Sequence, residues 1–102
     1  MNRVPVTVRV GWVPTRATAW VPRPRTIVVR DLGDLHERLV AHELKHVLQA
    51  EEHRPWPLTY FWQWVRSGFS YVRMPFEVEA RAAEHSPFER AWARDVLRQV
   101  RP

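Results

Sequence analysis

Residues 4–10, VPVTVRV, alternate apolar and polar positions and are rich in β-branched side chains. This predicts a half-buried strand, with Pro5 marking a start or an edge. The next stretch, VPTRATAWVPRPR, carries three prolines and reads as a loop or irregular extended segment. TIVVR, residues 26–30, is a second strand. The period then changes: Leu35, Leu39, His42 and His46 fall at helical spacing, with Val40, Leu44, Val47 and Leu48 widening the apolar face. Asp34, followed three residues later by Glu37, has the form of a capping box, and Pro55 and Pro57 end the segment.

Three further helices are expected. LTYFWQWVRSGFSY, residues 58–71, is aromatic-rich and breaks near Gly68. MPFEVEARAAEH places Pro75 in a first turn, where its missing N–H is no loss. SPFERAWARDVLRQV repeats that logic, with Ser86 as cap, Pro87 in the first turn and Glu89 completing the box. Strands followed by helices make an α+β fold. No internal repeat or low-complexity stretch appears.

At 102 residues the chain is expected to form a single domain, 1–102. Hydrophobic residues make up 45% and include six Trp, enough for a small core that a bound metal would supplement. There is no cysteine, which excludes disulfides and thiolate ligands, so any metal rests on His and carboxylate. No apolar run reaches membrane-spanning length and no secretory segment opens the sequence, so a cytoplasmic protein is expected. The net charge is +5 and the basic residues are scattered rather than clustered, which argues against nucleic-acid binding as the main role. The aromatic block reads first as core cover; Gln63 and Arg66 interrupt it, which argues against a membrane surface.

The chemistry lies in HELKH, residues 42–46. On a helix, positions four apart differ by about 400°, so His42 and His46 point the same way, one turn apart. Two imidazoles so placed can reach one tetrahedral ion at about 2.0–2.1 Å each. Glu43, turned by about 100°, can serve a water on that ion without ligating it. The alternative, incidental histidines on an amphipathic helix, would desolvate two imidazoles and a carboxylate without compensation. The pattern therefore predicts a zinc hydrolase in which Glu43 is the general base. For the third ligand, His53 lies seven residues beyond His46 without a glycine between them to turn the chain, His85 is remote, and His36 is too far along the same helix. Glu77 and Glu79, on a separate helix, are better placed.

His42-Glu43-x-x-His46, followed by a Glu in a helical E-x-x-A context, resembles the gluzincin group of zinc metallopeptidases, the thermolysin-like clan. HELKHVLQAEEH, then an aromatic spacer, a Tyr and MPFEVEA, is similar to small bacterial and phage proteins with H-E-x-x-H-x-x-Q and N-P-F-E-x-E-A motifs. The resemblance covers residues 34–85. It implies a minimal peptidase with His42, His46 and Glu77 holding zinc and Glu43 as general base. Glu77 and Glu79 are about 200° apart on a helix, so only one can face the ion; Phe76, Ala80 and Ala83 adjoin Glu77, which favours it. Arg81 stands where many gluzincins have an Asp that orients a ligand histidine, which leaves that orienting partner unassigned. Met74 replaces the Asn of the small family.

In full-sized zincins an edge strand pairs with the substrate, and TIVVR is the candidate for it. Tyr71 is the candidate transition-state stabiliser, although an aromatic in the core or a lid fits it as well; Tyr60 is weaker still. The expected partner is a peptide or protein substrate. The rivals are a zinc-stabilised regulatory module without turnover, which Arg81 and the small size favour, and a basic nucleic-acid-associated protein. Neither the cleavage preference nor the oligomeric state is legible in the sequence.

Overall fold

A computed structural model describes residues 3–14 and 17–100. The fold is α+β: a three-stranded sheet followed by four α-helices. Strand β1 spans Thr7–Val10, β2 Ala19–Arg23 and β3 Thr26–Val29. The order is β1-β3-β2, with β1 parallel and β2 antiparallel to the central β3. Strand β2 falls within the stretch expected to be a loop, of which residues 15 and 16 lie outside the described part. Its proline is tolerated because β2 is an edge strand and the register shifts between Trp20 and Arg23, the span that holds Pro22.

Helix α1 spans Glu37–Glu52. Its start differs from the expected capping box. Asp31 instead caps a 3₁₀ turn, Leu32–Asp34, and His36 caps α1 through its side chain, which accepts from the Leu39 N–H at 3.3 Å. Glu37 is thereby released to pair with Arg90 and Arg94 of the last helix. The apolar stripe behaves as its spacing implies: Leu35, Val40, Ala41, Leu44, Val47 and Leu48 are buried with Ile27 and Val29 of the sheet and with Trp92, Ala93 and Val96. Helix α1 is thus the axis of the fold, touching the sheet and the three other helices.

Helix α2, Trp56–Arg66, begins two residues earlier and ends sooner than its aromatic content suggests. It stops where Gly68 and Phe69 both take left-handed backbone, φ +69° and +62°. Only Trp56 of this helix is buried, where its indole N–H donates to the Val21 carbonyl of β2 at 3.1 Å. The aromatic block is therefore not core cover: Leu58, Phe61, Trp62, Phe69 and Tyr71 are exposed. Helices α3, Pro75–Ala83, and α4, Pro87–Val100, begin at their prolines as expected. Phe76, Ala80 and Ala83 form the buried face of α3, which packs on α1. Among the described residues no helix is long and apolar enough to cross a membrane.

Candidate metal centre

The first turns of α3 lie across the middle of α1, and this crossing brings three side chains together. His42 Nε2 lies 3.1 Å from Glu77 Oε1, and His46 Nε2 lies 3.2 Å from Glu77 Oε2. Two ligand atoms bound to one tetrahedral zinc at its usual bond lengths are about 3.3 Å apart. The separations fit a shared ion, and the three ligand atoms all lie within 4.8 Å of one another. Glu79 faces elsewhere and accepts from Gln49 Nε2 at 2.8 Å. His53 lies tilted against Phe76, with ring centroids 5.0 Å apart, His36 caps α1, and His85 is exposed.

Each histidine is held from behind. His42 Nδ1 lies 2.9 Å from Glu84 Oε2, and His46 Nδ1 lies 2.8 Å from Gln49 Oε1. Oxygen acceptors on both Nδ1 atoms keep a proton there and turn both Nε2 atoms to Glu77, each directing a proton at its carboxylate in the metal-free fold and offering a lone pair once that proton is released. Gln49 is fixed in turn, since its Nε2 also donates to the Phe76 carbonyl at 3.0 Å. The sequence leaves this orienting role open, with Arg81 at the expected position. That side chain instead donates to the Val72 carbonyl at 2.6 Å, and Glu84 serves His42. Glu84 is seven residues beyond Glu77, two helical turns, a spacing that could have singled it out.

The electrostatics follow from this crowding. Burial drives His42 toward its neutral form, but the hydrogen bond to Glu77, the charge of Glu43 and the hydrogen bond to Glu84 prevail and raise it to about 9. His46 is likewise held above its ordinary value: burial opposes, and Glu77 and Glu43 outweigh it. Burial pushes Glu77 upward, yet hydrogen bonds from His42, His46 and Tyr60 hold it well below the usual carboxylate range. Glu43 moves the other way. Burial raises its carboxyl despite the opposing pull of the two histidines.

Glu43 is 5% exposed, and its Oε2 has no hydrogen-bond partner among the described residues. An orphaned, buried carboxylate oxygen on a residue that lines the same cleft as the triad is what a bound cation with a water would satisfy. The donor set, two imidazoles and one carboxylate with no thiolate, is one that zinc accepts. The residues present fit the metal.

The group lies in the wall of a cleft of about 760 Å³, bounded by β2, α1 and the start of α2. Ala19, Val21, Leu39 and Trp56 give it apolar walls, and Arg38 and Glu84 stand at its polar end. Strand β3 cannot be the strand that meets a substrate, because β1 and β2 flank it on both sides. The edge strand that lines the cleft is β2. Tyr71 also lines the cleft, exposed and stacked on Trp64. The hydroxyl that touches the triad belongs to Tyr60, which donates to Glu77 Oε2. Burial and the neighbouring Glu77 push the Tyr60 phenol well above its ordinary value, so it stays a donor.

Compared with protein-family models, with curated proteins and with solved structures, the chain matches none.

Proposed function

We propose that this chain is a zinc-dependent peptidase of gluzincin-like design, with His42, His46 and Glu77 as ligands and Glu43 as general base. The observation that carries this reading is the unpartnered, buried Oε2 of Glu43, a residue that shares with the triad the wall of a cleft large enough for an extended peptide. Zinc, when bound, supplies a Lewis acid that acidifies water and polarises a carbonyl. Glu43 takes the proton from the attacking water and delivers it to the leaving nitrogen as the C–N bond breaks. Its raised proton affinity suits both halves of that transfer. Glu84 and Gln49 hold the imidazoles in their ligating tautomer. Tyr60 anchors Glu77, and Tyr71 at the cleft rim is placed to meet the substrate. A cytoplasmic setting belongs to the same proposal.

The experiment is Glu43→Gln. Because Glu43 serves water and not the ion, the variant should keep about one zinc per chain and its fold, while hydrolysis falls by about 10²–10⁴-fold. Loss of zinc in this variant would overturn the role given to Glu43. Zinc in both proteins with no hydrolysis by either would make the site a structural one in a module without turnover.

A further inference from the structure

Helix α2 has its apolar face turned outward. Leu58, Phe61, Trp62 and Val65 recur at helical spacing and share one side of the helix; the first three are each more than half exposed and Val65 is half-buried. The opposite side carries Trp56 and Tyr60 toward the protein. Gln63, which appears in the sequence to interrupt the apolar block, is on neither count part of the outer face: its Oε1 accepts from the Phe76 N–H at 2.8 Å. Arg66 lies on the flank of the stripe. The apolar surface continues past the end of the helix, where Phe61, Phe69 and Tyr71 all pack around Trp64 with ring centroids 5.0–6.0 Å apart. Phe69 and Val72 are 61% and 72% exposed.

Charge decides what this surface meets. Residues 53–76 contain three Arg and no Asp or Glu. Arg54 pairs with Glu51, whereas Arg66 and Arg73 are exposed and their side chains make no ion pair among the described residues. A second copy seated on this face would bring a second set of guanidinium groups to a surface whose residues 53–76 supply no carboxylate to meet them. Aromatic and aliphatic side chains fringed by unpaired guanidinium groups match the boundary between acyl chains and anionic headgroups. We infer that α2 and the turn following it form a docking surface for an anionic lipid bilayer, with Leu58, Phe61, Trp62 and Phe69 entering the interface and Arg66 and Arg73 meeting headgroup phosphates. This inference stands apart from the zinc site and does not depend on it.

The test is co-sedimentation of the full chain with phosphatidylcholine vesicles, with and without about 30% phosphatidylserine. The protein should sediment with the anionic vesicles and be released by added salt. Phe61→Ser combined with Trp62→Ser should weaken binding at least about tenfold, since two exposed rings no longer leave water on docking. Arg66→Gln combined with Arg73→Gln should erase the preference for phosphatidylserine, and Trp12→Ser, at another exposed aromatic, should change nothing. Failure to bind anionic vesicles overturns the inference, as does binding that all the α2 variants leave intact. A lipid-free dimer in light scattering that the Phe61 and Trp62 substitutions dissociate would assign the face to a protein partner and overturn it equally.

Discussion

Gln49→Leu tests the support behind the metal centre. Gln49 is 2% exposed and ties three groups together: it accepts from His46 Nδ1, and it donates to the Phe76 carbonyl and to Glu79. Leucine has a similar volume but can make none of these bonds. One buried polar group, His46 Nδ1–H, is then left without a partner; the Phe76 carbonyl loses one bond but keeps its place in the α3 ladder, and Glu79 is exposed and turns to water. A buried orphan costs about 1–3 kcal/mol, and the apolar burial of the new side chain offsets part of it. The net loss is roughly 1–2 kcal/mol. In a domain of this size that lowers Tm by on the order of 5–15 °C. Zinc affinity should fall by about 10–100-fold, because His46 loses the acceptor that fixes its tautomer. Gln49→Glu separates the two effects. It keeps an acceptor for His46 but cannot donate to Phe76 and adds a charge beside Glu79, so zinc affinity should hold while Tm still drops. The measurements are thermal unfolding in chelator and competition titration with a zinc indicator. If Gln49→Leu leaves both Tm and zinc affinity unchanged, the orienting network is incidental.

The parts of this molecule that follow from local spacing were legible in the sequence, and the parts set by distant partners were not. The α1 stripe and the pairing of His42 with His46 need only the helical period. The proximity of Glu77 needed one further step, the recognition that Phe76, Ala80 and Ala83 define the inner face of α3, and the structure places Glu77 against both histidines. Strand β2 is hidden by the prolines in and around it, because only the sheet order reveals that Pro22 sits on an edge. The start of α1 was misplaced because His36 is an uncommon cap and Asp34 a common one; the preceding 3₁₀ turn decides between them. Gln49 stood in plain view inside the motif, yet its role depends on Phe76, 27 residues away. Helix α2 shows a different limit. Aromatic residues lie on both of its sides, so the pattern marks a helix that is not cleanly amphipathic and does not tell which side faces the protein. Trp56 and its bond to the Val21 carbonyl settle that question, and with it the outward stripe.

Three further outcomes are expected. Glu77→Ala should lower zinc affinity tenfold or more, and Glu79→Ala should leave zinc in place, both read by metal analysis after dialysis; the reverse pattern would transfer the ligand role to Glu79. Tyr60→Phe removes the hydroxyl that anchors Glu77 and should weaken zinc by a few-fold to about tenfold with the fold intact, whereas Tyr71→Phe should not affect zinc at all; equal zinc affinity in the two variants would remove Tyr60 from the site. The last outcome concerns pH, and the sign differs between the two forms of the protein. In the metal-free fold His42 is raised to about 9, above its unfolded value of 6.5, by Glu77, Glu43 and Glu84 acting against burial. A group raised on folding contributes stability that is complete below its unfolded pKa and is lost as pH climbs through its folded pKa. The Tm of the protein in chelator should therefore fall between pH 6.5 and about 9. Zinc needs the same nitrogen deprotonated, so apparent zinc affinity should rise across that same interval as the competing proton is released. Opposite slopes for one histidine, metal-free stability falling while metal affinity rises, are the signature of an imidazole shared between a carboxylate cage and a cation. A flat Tm in chelator over that interval would show that the carboxylates around His42 do not hold its proton and form no cage for it.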